Sequence, residues 1–390
     1  MYLGLIEARY DYQLSYLDQW AKAWQQSATE FETFNIVRNS HLSKLQKKAK
    51  DFDLLVVLHS VSADSNSWLQ RLSTLSHIAR APMVLFVGNE FSSPFLSTET
   101  RLNLISKIAP EVIASQIPIE SARWLYEKTG SMVVPGPPGI PDIKFPKNNN
   151  KRIIDFGYRG FPYPWYLLDE DRNETIESVS NLFMRFQKNI NMSYSERFNS
   201  TQWFEFLQNS SFTASSEAGS RFVFRDDQVW IPVQEYFASH HKYSAVNNDA
   251  VGMNFLRQLP RPFKKILKQI TSTLGVKQAS LFQPRAAEID QLKSLINPEK
   301  FEHRNGKAIS SRHFDAIACG AWQILKPGLY NNLLEPGIHY TPWEPSNPST
   351  VIDLISDPKS LQLKAVNAIE SLGKNHSYQA RVNEILEILR

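Results

Sequence analysis

LLVVLH (residues 54–59) and MVLFV (residues 83–87) are two short apolar runs on either side of an amphipathic segment, Trp68–Ala79. Each run is continuous rather than alternating, which is typical of strands that are buried on both faces of a sheet. Two such strands separated by a segment of helical periodicity predict a βαβ unit with parallel strands.

The same alternation of strand and helix extends in both directions from these runs. Further strands are predicted at Tyr2–Ile6, Phe34–Val37, Val112–Ser115 and Met132–Val134. Further helices are predicted at Gln13–Gln26, His41–Ala49, Arg101–Ile108 and Ile119–Lys128. This alternation indicates a Rossmann-like domain over residues 1–145, in which helices cover both faces of a parallel sheet.

A break separates this domain from the rest of the chain. The segment from Pro135 to Lys151 contains five prolines, two glycines and three consecutive asparagines, and it predicts a linker or hinge. A strand at Arg152–Asp155 then starts a second alternation, which predicts another Rossmann-like domain over residues 150–375. Residues 376–390 are predicted to form a last helix that could pack back on the first domain.

Two Rossmann-like domains joined by a hinge imply an α/β protein with a ligand cleft between the carboxyl ends of the two sheets. This architecture also occurs in epimerases and in periplasmic-type binding proteins, so the architecture alone does not fix the chemistry. The function has to be argued from the residues at the cleft.

Composition and charge exclude several classes of protein. The chain has 390 residues, with 43 lysines and arginines against 39 aspartates and glutamates, a formal net charge of +4. This balance argues against a dedicated nucleic-acid binder. The single cysteine, Cys319, excludes an internal disulfide framework and a cysteine zinc site. The N-terminal sequence has no pattern of a secretory signal and no run of 18 apolar residues occurs, so a cytoplasmic protein is predicted.

The segment from Ser310 to Ala321, SSRHFDAIACGA, has the pattern of a phosphate-binding helix. Serines before a helix cap its free N–H groups, and that end of a helix favours an anion. Arg312, in the first turn, could add a charge-assisted hydrogen bond to the same phosphate. Asp315 lies one turn further, where a carboxylate could accept the hydroxyls of a ribose. A capped helix with a structural glycine at its end is the alternative interpretation.

Several motifs resemble those of GT-B glycosyltransferases of the group-1, CgeB-like type. The segments of the C-terminal region are SRHFDAIACGAWQIL (311–325), LYNNLLEPGIHYTPW (329–343) and NHSYQARVNEILEIL (375–389). Two upstream segments, IIDFGYRGFPYPWYL (153–167) and RFNSTQWFEFLQNSSFTASSEAGS (197–220), are similar to bacterial surface-polysaccharide glycosyltransferases of this type. The resemblance implies a GT-B fold, with an acceptor-side first domain and a second domain that binds the nucleotide sugar.

The resemblance also implies roles for individual residues. Ser311, Arg312 and Asp315 would bind the donor diphosphate and ribose, and Gly157, Tyr158 and Arg159 would lie close to the transferred sugar and its phosphates. Glu217 and Gly219 would line the same cleft, with Gly337 and His339 near its rim. Two departures from the family pattern matter. Asp315 stands where the family usually has glutamate, and Lys307 stands where the first glutamate of an E-x7-E pattern would fall.

Glycosyl transfer needs a neutralised leaving group, a positioned acceptor hydroxyl and exclusion of water. Arg159 and Arg312 could neutralise the diphosphate, and hinge closure could exclude water. His59, at the end of the strand LLVVL, is a candidate base that would face the cleft, although a partly buried structural histidine is the alternative. Glu217 is the competing carboxylate, and Asp11 is a third candidate.

No metal and no resident cofactor are expected, since the nucleotide sugar is a substrate. Asp51–Asp53 and Asp169–Asp171 resemble metal-binding D-x-D pairs, but acidic residues are ordinary at the edge of a strand and at the start of a helix. His240 and His241 lack partners at metal-ligand spacing.

A basic segment within residues 257–277 also has helical periodicity, with no acidic residue between Asp249 and Glu288. A basic amphipathic helix predicts contact with an anionic membrane surface, or else a helix packed on its own domain. Together these features predict a metal-independent glycosyltransferase at the inner face of a bacterial membrane, which adds a sugar to a glycan or lipid-linked acceptor in surface polysaccharide synthesis. A catalytically silent glycan-binding or assembly protein and a sugar-nucleotide epimerase are the alternatives.

Overall fold

The computed structural model describes residues 1–9, 15–75, 78, 80–143, 152–195, 198–239, 243–244, 277–278 and 286–390. Two separate parallel β-sheets, each surrounded by helices, dominate these residues. The predicted α/β class with two Rossmann-like units is therefore confirmed.

The first sheet has six parallel strands in the order β2-β1-β3-β4-β5-β6. These strands are β1 (Tyr2–Glu7), β2 (Glu30–Asn35), β3 (Leu54–Val57), β4 (Met83–Phe86), β5 (Val112–Ser115) and β6 (Met132–Pro135). All four residues of β3, β4 and β5 are buried, as their continuous apolar sequences predict. The helices of this unit are α1 (Ser15–Gln26), α2 (Asn39–Lys48), α3 (Asn66–Leu72), α4 (Thr98–Ile108) and α5 (Ile119–Tyr126).

The second sheet has five parallel strands in the order β15-β14-β9-β7-β8. These strands are β7 (Ile154–Arg159), β8 (Ile190–Ser193), β9 (Ser210–Ser215), β14 (Trp322–Leu325) and β15 (Thr341–Pro342). The helices that accompany them are α6 (Asp171–Arg185), α7 (Ser200–Asn209), α10 (Ser311–Ala318), α11 (Ser349–Ser356) and α12 (Pro358–Leu372). Because β8 and β9 lie on opposite sides of β7, the order in which successive strands are added to the sheet reverses at β7.

A connecting region lies between β9 and α10 in the sequence. Its elements are β10 (Val223–Phe224), α8 (Ile231–Ser239), β11 (Tyr243–Ser244), β12 (Lys277–Gln278), α9 (Ala286–Ser294) and β13 (His303–Arg304). This region contacts the first unit closely. Val223 packs in the core of the first sheet, and Asp227 accepts hydrogen bonds from Ser97 Oγ and Thr98 N at the start of α4, at 2.6 and 2.8 Å.

The last helix, α13 (Tyr378–Ile388), packs on the first unit although it follows the second in sequence. The ring of Tyr378 lies 5.1 Å from that of Trp20, nearly perpendicular to it, and Gln379 donates a hydrogen bond to Ser27 Oγ at 2.6 Å. The C-terminal helix α13 therefore packs against α1. Within the described ranges, no helix combines the length and the apolar character that crossing a bilayer requires.

Element boundaries differ from the predicted ones at several helix ends. The largest difference is at the predicted helix Trp68–Ala79, where α3 ends at Leu72 and a 3-10 turn follows over Ser73–Leu75. The hydroxyl of Ser73 donates to the carbonyl of Gln70, a local hydrogen bond that competes with continuation of the helix.

Candidate functional site

The carboxyl ends of β7 and β9 form the edge at which a ligand is expected, because the strand order of the second sheet reverses there. The sequence Tyr158-Arg159 ends β7, and Ser215 to Gly219 follow the end of β9. Helix α10 begins beside both, since His313 Nε2 lies 3.2 Å from the carbonyl oxygen of Ser216. The structure thus brings Gly157, Tyr158, Arg159, Glu217, Gly219, Ser311, Arg312 and Asp315 to one edge of the sheet.

Helix α10 is capped as its sequence predicts. The backbone N–H of Ser310 donates to His313 Nδ1 at 3.0 Å, and the side chains of these two residues lie 3.1 Å apart. His313 is fully buried, and burial together with the nearby Arg172 lowers its pKa to about 3, so this histidine is neutral. Ser311 is half-buried at the start of the helix, next to Arg312.

Arg312 is the cationic residue at this helix end. Its guanidinium donates to the backbone carbonyl of Arg159 and lies 5.2 Å from the centre of the Trp203 ring. Burial and the neighbouring guanidinium of Arg172 lower the pKa of Arg312 to about 10. The residue as a whole is partly exposed.

Arg172 is a second guanidinium at this site, and the sequence did not single it out. It lies in the first turn of α6, is 6% exposed, and packs 4.6 Å from the centre of the Tyr163 ring. Arg172 and Arg312 line one small cavity of about 10 Å³, with Tyr158, Trp203 and His313. In the described part of the chain, neither arginine forms an ion pair with a carboxylate. The position of Arg172 directly after Asp171, at a helix start that follows the FGYRG loop, is the signal that could have identified it.

Asp315 does not point toward a ligand. It is 2% exposed, and Trp203 Nε1 donates a hydrogen bond to its Oδ2 at 2.9 Å. Burial raises the pKa of Asp315 to about 7, although the indole N–H and Arg312 favour the ionised form. A contact of Asp315 with a donor ribose would require Trp203 to move.

The three predicted residues of β7 have different surroundings. Gly157 packs under α7, because a β-carbon there would lie 2.3 Å from Ser210 Oγ. Tyr158 is buried beside the small cavity. The guanidinium of Arg159 donates to Asn191 Oδ1 and lies 4.8 Å from the centre of the Phe206 ring. Arg159 contacts Arg312 through its backbone carbonyl instead.

Glu217 holds a turn of the chain. Its Oε1 accepts the backbone N–H of Tyr330 at 2.7 Å, and a β-carbon on Gly328 would lie 2.6 Å from its Oε2. Burial raises the pKa of Glu217, although the Tyr330 N–H and Lys307 oppose this shift. The nearby Gly219 has φ +91°, and a β-carbon there would lie 2.2 Å from the carbonyl oxygen of Gly306, which requires glycine.

Lys307 forms ion pairs with the acidic residues at the start of α6. Its Nζ lies 3.2 Å from Asp169 and also pairs with Asp171, while Lys326 lies 3.7 Å from Asp171. These aspartates are therefore compensated by lysines. Among the described residues, no group of three or more histidine, cysteine, aspartate or glutamate side chains is arranged to hold a metal ion.

His59 does not face the cleft, contrary to the expectation from its position at a strand end. Its ring is fully buried between Trp20, at 5.8 Å, and Phe86, at 5.0 Å, because α1 covers this end of β3. Burial lowers its pKa to about 3, and neither ring nitrogen has a hydrogen-bond partner within the described residues. The geometry does not place His59 where a general base would act.

Both ring nitrogens of His339 have hydrogen-bond partners within the protein. Its Nδ1 accepts the backbone N–H of Glu335 at 2.8 Å, and its Nε2 lies 2.9 Å from Ser371 Oγ on α12. This histidine closes the turn that contains Gly337, which has φ +81°. Both ring nitrogens are therefore occupied, and the expected donor contact of His339 finds no support in this geometry.

Other predicted features fall on residues that are not described. Asp11, His240, His241 and almost all of the basic segment 257–277 lie outside the described ranges.

A family model matches the C-terminal part of the chain. Residues 286–387 match the model of the glycosyl transferase-like family. The match includes α10 and its Arg312, and it confirms the resemblance over most of the segment 307–390. A comparison with curated proteins gives no significant match.

Solved structures of one Anabaena protein are similar to the whole chain. Alr3699/HepE of Anabaena in complex with UDP has 13% sequence identity, over 100% of this chain and 99% of that one, with a TM-score of 0.45. The same protein in complex with UDP-glucose has 14% identity, the same coverage and a TM-score of 0.42.

Proposed function

We propose that this protein is a glycosyltransferase that moves a sugar from a nucleotide-sugar donor to a hydroxyl group. The observation that carries the proposal is the pair Arg172 and Arg312 at the strand-order reversal of the second sheet, neither of which forms an ion pair with a carboxylate among the described residues. Arg312 belongs to a segment that matches a glycosyl transferase-like family.

The charge of this site suits a diphosphate leaving group. Burial and the guanidinium of Arg172 both disfavour the charge of Arg312, whereas Tyr163 and Tyr158 raise the pKa of Arg172 although burial opposes this. A diphosphate at Arg312, for which the cavity of about 10 Å³ would have to widen, would relieve both effects. Its developing charge would be stabilised by Arg312 and by the positive end of the α10 dipole. Because arginines supply this neutralisation, we propose that the transfer needs no metal.

The acceptor and the cellular setting follow from the sequence motifs. The similarity of residues 153–167 and 197–220 to surface-polysaccharide glycosyltransferases supports a glycan or lipid-linked acceptor. The basic composition of residues 257–277 supports work at the inner face of a bacterial membrane, from the cytoplasm.

The test is a thermal-shift panel of UDP, GDP, ADP, CMP and TDP without metal on the wild type, Arg312→Ala and Arg185→Ala. Arg185 is an exposed arginine in the last turn of α6 and serves as the control. A ligand at 100 times its dissociation constant stabilises a protein by about 2.7 kcal/mol, a shift of a few degrees. One nucleotide should stabilise the wild type and Arg185→Ala but not Arg312→Ala. If no nucleotide shifts the wild type, or if Arg312→Ala responds equally, the donor site is elsewhere or absent.

A catalytically silent glycan-binding protein is the second candidate, and a specific observation favours it. Asp315 is bound by Trp203, Glu217 is bound by the Tyr330 backbone, and Asp169 and Asp171 are paired with Lys307. The predicted carboxylates of the second unit are thus engaged internally. Hydrolysis of whichever nucleotide sugar stabilises the protein would distinguish the two functions. A glycosyltransferase should hydrolyse it slowly, whereas a silent relative binds it without turnover.

A further inference from the structure

A cavity of about 660 Å³ lies beside the Arg172–Arg312 site and is not part of it. It is bounded by the start of α6, the loop before β10, the end of α9 and the residues around β13. The side chains that line it include Asp169, Asp171, Glu174, Arg221, Phe222 and Lys307. The volume is in the range of small-molecule sites.

The lining of this cavity has nearly balanced charge. Four carboxylates line it, and three cationic side chains, Arg221, Lys293 and Lys307, stand against them. Lys307 is paired with Asp169 and Asp171, and Lys293 is paired with Glu170. A bound phosphate would be repelled by the four carboxylates, and a bound cation would be repelled by the three cationic side chains. An uncharged ligand with many hydroxyl groups fits better, because hydroxyls donate to carboxylates and accept from ammonium and guanidinium groups.

The wall offers both polar and apolar contacts. Asp169 is 8% exposed, and its Oδ2 accepts no hydrogen bond within the described residues although Lys307 Nζ lies 3.2 Å away. The Phe222 ring is partly buried and is supported edge-on by His303 at 4.8 Å. An aromatic ring next to fixed charged groups is suited to a molecule with an apolar face and polar edges, such as a pyranose ring.

The large cavity and the proposed donor site are both lined by residues at the start of α6. Asp171 lines the large cavity, whereas the next residue, Arg172, lines the small cavity together with Arg312. The first turn of α6 therefore contributes to both cavities.

We infer that this cavity binds a saccharide through the hydroxyl groups of the saccharide. The role of that saccharide as a substrate rests on the proposed function, whereas its binding to the cavity does not. Two sources of the saccharide share this chemistry, the sugar of the donor and a residue of the acceptor glycan. The proximity of Arg172 is compatible with either source, so the experiment has an arm for each.

The experiment uses the full chain and a double variant, Glu174→Gln/Arg221→Gln. Both residues are exposed, and within the described residues their side chains make no hydrogen bond or ion pair; the Arg221 guanidinium lies 5.6 Å from the centre of the Phe222 ring. Their replacement is therefore expected to leave the fold intact. The control is Glu177→Gln/Arg185→Gln, an equal loss of one acidic and one basic group on the exposed face of α6, outside the cavity. Asp171→Asn is a further variant that keeps the shape of a cavity-lining residue.

Calorimetric titration with UDP, UDP-glucose, GDP and GDP-mannose forms the first arm. An array of immobilised neutral monosaccharides and oligosaccharides forms the second. If the donor sugar occupies the cavity, the double variant should bind the nucleotide sugar about tenfold more weakly, as expected for one or two lost hydrogen bonds, with unchanged affinity for the nucleoside diphosphate. If an acceptor residue occupies it, nucleotide-sugar affinity should stay constant and array binding should fall by a similar factor.

Unchanged binding in both arms, for the double variant and for Asp171→Asn, would overturn the inference. Failure of the proposed function has a different signature. In that case the wild type binds no nucleotide at all, while the array still compares the wild type with the cavity variants and decides whether a saccharide binds.

Discussion

Trp203 donates a hydrogen bond from its indole N–H to the buried carboxylate of Asp315, at 2.9 Å, and its ring lies 5.2 Å from the guanidinium of Arg312. One tryptophan on α7 thus contacts both charged residues of α10. Asp315 is buried and its carboxylate is engaged by this ring, whereas Arg312 keeps partial exposure. The role that the family resemblance implies for Asp315, a ribose contact, would need Trp203 to be displaced.

Asp315→Asn should change how stability depends on pH. Burial raises the pKa of Asp315 to about 7, against an ordinary value of about 3.9. Between these values the folded protein keeps a proton that the unfolded chain releases. The free energy of unfolding therefore falls as pH rises, by up to about 1.4 kcal/mol per pH unit.

Asparagine does not titrate, so the variant should lose this dependence. The thermal midpoints of the wild type and Asp315→Asn, measured at pH 5 and pH 7, should shift in favour of the variant by a few degrees at the higher pH. Parallel pH dependences for the two proteins would show that Asp315 has no raised pKa.

Arg172→Gln should separate stability from ligand binding. The charges of Arg172 and Arg312 repel each other in the ligand-free protein. Because Tyr163 and Tyr158 raise the pKa of Arg172 and so offset this repulsion, Arg172→Gln should leave the unfolding midpoint close to that of the wild type while it weakens binding of an anion at Arg312. The expected loss is about 10- to 100-fold in affinity for pyrophosphate, since a charge-assisted hydrogen bond contributes about 1.5–3 kcal/mol.

Calorimetric titration with pyrophosphate measures this loss, and Arg185→Gln is the matched control on the same helix. A lower midpoint together with unchanged pyrophosphate affinity would mean that Arg172 is a structural residue that stabilises the fold through Tyr163.

The sheets could be predicted from sequence because their signal is local. Strands such as Leu54–Val57 and Met83–Phe86 are continuous apolar runs, and burial on both faces of a parallel sheet requires that composition. The capped start of α10 at Ser310 was also visible, because capping depends on residues within one turn.

The directions of the site side chains could not be predicted in the same way. His59 does stand at a strand end, but whether that end is open depends on Trp20, a residue from another part of the sequence that covers it. Likewise Arg172 follows the acidic tripeptide Asp169–Asp171, whose sequence predicts only the start of a helix. Only the folded chain places it against Arg312, which is 140 positions away in sequence.

His59→Leu should stabilise the protein at mildly acidic pH and leave activity intact. His59 is buried with a pKa of about 3, whereas an unfolded histidine titrates near about 6.5. Below the higher value the unfolded chain takes up a proton that the folded protein excludes. Stability is therefore lost as pH falls from about 6.5 toward about 3, by up to about 1.4 kcal/mol per pH unit.

Leucine removes this titration and also the two ring nitrogens without partners. Thermal midpoints at pH 5 and pH 8 should show a gain for the variant that is larger at pH 5, with nucleotide-sugar turnover close to that of the wild type. A loss of turnover in a folded His59→Leu protein would restore this histidine as the general base.

Asn331 joins the two units of the protein from a left-handed turn. Its Oδ1 accepts the backbone N–H of Ile309 at 2.7 Å, and its Nδ2 donates to the carbonyl of Gln116, in the first unit, at 3.0 Å. Tyr330, Asn331 and Asn332 have φ of 47°, 53° and 58°, a conformation that asparagine tolerates better than most residues. The same turn is held by Glu217 through the N–H of Tyr330.

Substitutions at Asn331 should separate backbone strain from the contact between the units. Asn331→Ala loses both hydrogen bonds and leaves in the left-handed region a residue that tolerates this conformation less well than asparagine, so it should destabilise the protein by about 2–4 kcal/mol. Asn331→Gly loses the same bonds without the strain, and it should be about 1 kcal/mol less destabilised. Asn331→Asp keeps the acceptor for Ile309 and loses only the bond to Gln116.

Thermal unfolding and nucleotide-sugar turnover of the three variants decide between two roles of this turn. If the bond to Gln116 sets the relative position of the units, Asn331→Asp should lower turnover while it retains most of the stability. Full turnover in Asn331→Asp, with equal midpoints for the alanine and glycine variants, would show that neither the left-handed turn nor its contact with the first unit matters. The joint outcome is informative because the turn rests on Glu217, so a loss confined to turnover would place that carboxylate in a positioning role rather than a catalytic one.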